Sequence, residues 1–233
     1  MHYKQWKELP KQFQNEEVKP YYQMLNKRKN SIRMKRILDF VLALGMTVIL
    51  SPVMLVLAVC IKIDSRGPVF YRQERVTRYG KIYRIFKFRT MVADADRRGP
   101  AITQSGDDRI TRMGHLLRKC RLDEVPQLFN VLMGDMSFVG TRPEVKKYVD
   151  AYTDEMLATL LLPAGITSRT SIVYKDEDEV MEKYLKETGK SVDEIYVQYV
   201  LPAKMKYNLQ YLEKFSIFGD LKIMIDTVLA VIH

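Results

Sequence analysis

The side chains in this sequence that could act together chemically are carboxylates and cations. Asp123 and Glu124 stand side by side between two stretches with helical spacing. Lys87 and Arg89 alternate along a run rich in β-branched and aromatic residues. Arg118 precedes the acidic pair, and Arg142 follows it in Gly140-Thr141-Arg142-Pro143-Glu144. Histidine chemistry drops away, because His2 and His233 lie at or beside the chain ends and only His115 remains. The two cysteines, Cys60 and Cys120, exclude a disulfide framework and argue against structural zinc. No GxxxxGK[ST], GxGxxG or HExxH motif is present. What remains is anion chemistry: a carboxylate as nucleophile or metal ligand, with arginines offering paired donors to phosphate.

Local sequence predicts the elements that position these groups. Pro126 suits the first turn of a helix and disfavours the helical conformation at Val125. One helix, with Ile110, Met113, Leu117 and Cys120 on its apolar stripe and Asp107 or Asp108 as cap, therefore ends near Leu122. A second runs from about Pro126 to Gly134. The acidic pair falls between them, near a helix end that favours anions, with plain helix capping as the structural alternative. Thr141 and Glu144 fit a capping box, which would place Arg142 at a third helix N-terminus. Upstream, residues 68–76 and 81–92 read as a hairpin around Thr77-Arg78-Tyr79-Gly80, with Gly80 left-handed. A regular second strand turns Lys87 and Arg89 to one face and Phe86 and Phe88 to the other, though a solvated strand face would look the same. Residues 93–106 read as a polar loop, and Asp176–Glu179 as a solvated first turn.

The chain carries 38 Lys+Arg against 28 Asp+Glu, a formal charge of +10, and 47% hydrophobic residues, which excludes a disordered or low-complexity chain. The surplus fits nucleic acid, an anionic membrane or a phosphorylated substrate. Residues 37–61 hold one charge, Asp39, in a run that as a helix spans about 38 Å, more than the bilayer core of about 30 Å. A buried core helix is the soluble alternative. Both flanks are basic: ten Lys/Arg against three Asp/Glu in residues 1–36, and eleven against four in 62–98. A straight span would send one basic flank across, against the preference for cytoplasmic positive charge. A helix-break-helix that re-enters the same side, bent at Ser51-Pro52, avoids this, and Ser51 could re-satisfy a freed carbonyl. A kinked but spanning helix is the competing reading. Residues 1–36 read as a polar, loosely attached surface extension, 37–61 as the membrane hairpin and 62–233 as a cytoplasmic catalytic domain. The apolar C-terminal stretch packs on the core or lies in the membrane interface.

From about Arg33 onward the sequence resembles the bacterial sugar transferases, small monotopic phosphoglycosyl transferases. The matching stretches are the Ser51-Pro52 segment, GPVFYRQERV, YRIFKFRTM, DDRITRMGHLLRKCRLDEVPQLFNVLMGDMSFVGTRPE, LPAGIT and FGDLKIMIDTV. The resemblance implies an α+β, mainly helical fold with a re-entrant membrane helix, a small hairpin and interfacial helices around an active site on the cytoplasmic face of the bacterial inner membrane. It implies transfer of a sugar 1-phosphate from a UDP-sugar to polyprenyl (undecaprenyl) phosphate, releasing UMP, as the first membrane step of glycoconjugate or exopolysaccharide synthesis. In the same terms, Asp123 is the nucleophile that forms a phosphosugar intermediate, and Glu124 helps hold Mg²⁺. Lys87, Arg89, Arg118 and Arg142 handle phosphate. Membrane lipids are implied partners, nucleic acid is not, and homo-oligomer formation is left open. Thr77 replaces the usual Gly, Thr141 the usual Pro, and Ser168–Tyr174 the usual continuation after Thr167. Arg169 in that altered stretch is a candidate contact to the nucleotide sugar. The other reading is a non-catalytic basic protein binding anionic lipid or nucleic acid. Transfer in a single ternary complex is a third.

Overall fold

The computed structural model describes residues 3–95, 107–174 and 177–232. Most of the expected 93–106 loop, and Asp176, lie outside them. The N-terminal segment is no loose extension. Tyr3, Leu9, Phe13, Val18, Tyr22 and Leu25 are buried with Leu160–Leu162, Leu212 and Phe215 in one core cluster. Helix α1 (Val18–Lys27) carries three of these at helical spacing. Burial of such side chains is worth about 1.5–3 kcal/mol each, which outweighs the polar residues between them.

Helix α2 runs unbroken from Lys29 to Asp64, through Pro52, so the expected break is absent from the helix itself. Proline withholds the N–H that Val48 would accept, and the Ser51 hydroxyl donates to that carbonyl at 2.8 Å. This is the compensation that let the helix continue. The outer face of α2 is apolar and exposed, with Ile49 at 75% and Leu55 at 68%, and the helix is long and apolar enough to cross a membrane. Its inner face touches the polar body at both ends. Near the start, Lys35 pairs with Asp220 at 2.6 Å, Asp39 accepts from Ser137 at 2.8 Å, and Arg36 donates to the Leu132 carbonyl at 2.9 Å. At the far end, Arg89 donates to the Ser65 carbonyl at 2.7 Å, and Asp64 accepts from the Met113 N–H at 3.0 Å. The lone charge of the apolar run, Asp39, is thereby buried and satisfied.

Strands β1 (Phe70–Val76) and β2 (Ile82–Phe88) form the expected antiparallel hairpin, with Tyr71 opposite Lys87 and Arg75 opposite Tyr83. Both Tyr79 and Gly80 at the turn adopt positive φ, 60° and 77°. Helix α3 (Arg112–Lys119) is capped by Thr111, whose hydroxyl accepts from Gly114 N–H, not by Asp107 or Asp108. Asp107 is taken instead by a bidentate pair with Arg109. Helix α4 (Gln127–Met133) ends at Gly134 in the left-handed conformation, as expected for a C-terminal glycine. A short parallel pair follows, β3 (Met136–Val139) beside β4 (Ala164–Thr167). Between them lies α5 (Lys146–Val149), a single turn beginning past the Thr141–Glu144 segment.

The expected capping box does not form. Glu144 is buried with Tyr196 at 2.6 Å and Lys204 at 3.2 Å, partners far along the chain that win over a local backbone contact. The remaining helices are α6 (Arg169–Val173), α7 (Glu177–Thr188), α8 (Val192–Ile195), α9 (Leu201–Glu213) and α10 (Ile217–Ile232), with a π-turn at Tyr196–Val200. Helix α10 packs on the core along one side, the first of the two readings of its sequence. Asp220 and Ile223 pack inward, while Phe218, Leu221, Ile225, Val228 and Leu229 are exposed.

Candidate active site

One cavity of about 980 Å³ is lined by the two carboxylates and all four expected phosphate-handling cations: Asp123, Glu124, Lys87, Arg89, Arg118 and Arg142. The backbone explains how the acidic pair comes to face it. Helix α3 stops at Cys120, and Arg121 turns left-handed with φ 55°. Leu122–Glu124 make one 3₁₀ turn before Pro126 leads into α4. The dyad is therefore a bend between two helices, as its sequence required.

Two contacts hold the walls in register. Asn130 of α4 accepts from Phe86 N–H at 2.8 Å and donates to the Arg84 carbonyl at 3.0 Å, acting as an extra strand partner for β2. Gly114 of α3 lies against the Thr90 backbone so closely that a Cβ there would overlap its carbonyl oxygen. One turn on, Arg118 donates from Nε to the Thr90 hydroxyl at 3.0 Å.

The two carboxylates live in different surroundings. Glu124 Oε1 accepts from Lys87 at 2.7 Å and from Arg142 at 3.1 Å. Burial pushes its pKa up, but the two cations more than offset this and hold it well below the ordinary glutamate value. Its Oε2 has no hydrogen-bond partner among the described residues. The Asp123 carboxylate, apart from its own backbone N–H, is likewise without a bonded partner among them. Burial raises its pKa, with Glu124 adding to the rise and Lys87 and Arg118 opposing it. A raised carboxylate pKa means a more basic oxygen. Next to cations that would steady departing negative charge, such an oxygen is suited to attack at phosphorus.

Among the described residues no group of three or more His, Cys, Asp or Glu could hold a metal by itself. Asp123 and Glu124 nonetheless bring two carboxylates to the cavity wall, a donor type that suits Mg²⁺ completed by substrate oxygens and water.

Arg89 is the expected site residue whose setting differs most. It follows β2, is buried, and spends one guanidinium nitrogen on the end of α2, so it does not share the partner of Lys87. Arg142 does meet the dyad, but from irregular chain between β3 and α5 and not from a helix N-terminus. Arg169 is exposed at the start of α6 and does not line the cavity. The altered stretch around it is a Ser168-capped turn in which Thr170 donates to Asn208 at 2.6 Å. Thr77 donates to the Asp135 carbonyl at 2.7 Å and accepts from Ala164 N–H at 3.1 Å, tying the hairpin to β3 and β4.

Tyr71, Gln73 and Arg75 also line the cavity. They are not among the expected site residues, although they alternate along β1 on the face that carries Lys87 from β2, and Phe70 and Arg72 from the other face line the cavity as well. Arg75 donates to Gln73 at 2.6 Å and to the Pro143 carbonyl at 3.1 Å, bracing the loop that carries Arg142.

The family model for bacterial sugar transferases matches residues 30–233. UDP-N-acetylgalactosamine-undecaprenyl-phosphate N-acetylgalactosaminephosphotransferase of Aeromonas hydrophila is 34% identical over 200 residues, covering 83% of this chain and 42% of the relative. UDP-glucose:undecaprenyl-phosphate glucose-1-phosphate transferase of Caulobacter vibrioides is 34% identical over 197 residues, covering 83% of this chain and 68% of the relative. Its Escherichia coli K12 counterpart is 34% identical over 200 residues, covering 84% and 39%. The chain thus spans about four tenths of the Aeromonas and Escherichia relatives.

Proposed function

The chain belongs to the bacterial sugar transferase family, and from that membership and the cavity's geometry we propose that it moves a sugar 1-phosphate from a UDP-sugar to undecaprenyl phosphate, releasing UMP. The observation that carries this reading is the division of labour in the acidic pair. Glu124 is gripped by Lys87 and Arg142, while the neighbouring Asp123 carboxylate is left open to the cavity.

In this reading the Asp123 oxygen attacks the β-phosphorus in line, a phosphorus–oxygen bond to the UMP moiety breaks, and a phosphosugar-aspartyl ester forms. A phosphate oxygen of the acceptor then attacks the same phosphorus, and Asp123 leaves as carboxylate. Two displacements replace one difficult encounter between two anions. Lys87, Arg118 and Arg142 take up the negative charge that shifts onto the departing oxygens. Mg²⁺, held by Asp123 and Glu124, would add neutralisation of the diphosphate.

The membrane reading rests on α2. Both its ends are bonded to one polar body while its outer face is apolar, so a straight crossing would tear one end away. We therefore place α2 dipping into a single leaflet from the cytoplasmic side. The cavity then opens where a lipid-borne phosphate lies.

Incubation with a panel of UDP-sugars, undecaprenyl phosphate and Mg²⁺ tests the proposal. UMP release that depends on one or a few donors supports it. Absence of UMP from every hexose and N-acetylhexosamine donor contradicts it.

A further inference from the structure

The cavity is strongly over-supplied with positive charge. Among the described residues, nine Lys and Arg side chains line it against two carboxylates. The charge with which Glu124 would attract a divalent ion is already opposed by two cations on its Oε1, Lys87 at 2.7 Å and Arg142 at 3.1 Å. Lys87 and Arg142 sit directly on Glu124, so a free cation approaching that carboxylate would meet their repulsion.

From this geometry we infer that the empty cavity turns away a free divalent cation and admits one only together with a diphosphate, with Lys87 and Arg142 as the gate. The inference rests on the reading of Asp123 and Glu124 as the metal's carboxylates. A diphosphate brings several negative charges and strong acceptor oxygens, which give Lys87 and Arg142 better partners than a single carboxylate oxygen. With those cations turned to phosphate, Glu124 regains its negative field beside Asp123. The coupling is reciprocal by linkage: bound metal strengthens diphosphate binding by the same factor by which bound diphosphate strengthens metal binding. Once the nucleotide leaves, Lys87 and Arg142 fall back on Glu124, and the site sheds its cation.

The test is direct binding of Mn²⁺ to the full chain in detergent without acceptor, by equilibrium dialysis, counting only the excess on the protein side because UDP itself chelates Mn²⁺. The expected result is no uptake of millimolar Mn²⁺ by the protein alone and stoichiometric uptake on adding UDP. Arg142→Gln and Lys87→Met should each take up Mn²⁺ without UDP, at least about tenfold more tightly than wild type. Glu124→Gln should lose the UDP-dependent uptake. Nucleotide-free uptake by wild type that Glu124→Gln abolishes would overturn the ordered entry while leaving the dyad as metal ligands. So would failure of both cation variants to gain affinity. UDP-dependent uptake that survives in both Glu124→Gln and Asp123→Asn would remove the metal reading of the dyad, and the inference with it.

Discussion

Two clusters in this molecule use the same residue types to opposite ends. At the base of α2, Lys35 lies between Asp39 and Asp220, at 4.0 and 2.6 Å, and Ser137 and Tyr211 complete the set at 2.8 and 2.9 Å. Every member is sealed from solvent or close to it, and the carboxylates have protein partners. In the cavity, Glu124 shares one oxygen between two cations, and Asp123 has no bonded side-chain partner among the described residues. Charge that is satisfied within the protein locks helices together; charge left unsatisfied is available to a ligand. Burial of ionic groups alone does not distinguish the two, but the bookkeeping of their partners does.

Four substitutions or titrations break or sharpen that contrast. Asp123→Asn keeps the shape and removes the nucleophile, and should cut turnover by about 10⁴-fold or more, measured as UMP released per folded protein. Lys35→Met should do the reverse. It strands Asp39 and Asp220 without a counter-charge at a cost of about 3–5 kcal/mol in unfolding free energy, seen as a lower denaturation midpoint, while kcat of the surviving folded protein changes little. Arg142→Gln frees Glu124 from one cation and should lower kcat/KM by about 10²-fold without a comparable loss of stability.

The smallest effect is a shift in pH dependence. Attack requires ionised Asp123, whose pKa is raised, so activity should fall off on the acid side above the ordinary aspartate value of about 3.9. Lys87 and Arg118 hold that value down, so Arg118→Gln should move the acid limb further up in pH. An unmoved limb in a folded Arg118→Gln protein would show that another group sets it.

Where local chemistry decides, the sequence was readable. Pro126 and Gly134 bracket α4, Gly80 marks the hairpin turn, and the LDE stretch falls between helices, because each depends on a residue's own backbone preference. Where distant groups compete, it misled. Thr141 and Glu144 have the spacing of a capping box, but Lys204 and Tyr196 offer Glu144 a charge-assisted pair in the core. Asp107 looks like a cap, but Arg109 two residues on takes its carboxylate. Tyr3, Leu9 and Phe13 follow no helical or strand period, and only Val18, Tyr22 and Leu25, at helical spacing, are a local sign that residues 1–36 help build a core. Ser51-Pro52 carried the right local chemistry, and the helix absorbed it without breaking.

The central claim is that Asp123 carries the transferred phosphosugar. Mixing the wild-type chain with its UDP-sugar donor and Mg²⁺, without undecaprenyl phosphate, measures this most directly. The expected result is a burst of UMP approaching one per active chain, a matching mass increase on the peptide containing Asp123, and neither in Asp123→Asn. UMP that appears only after the acceptor is added, or a burst that persists in Asp123→Asn, would contradict it.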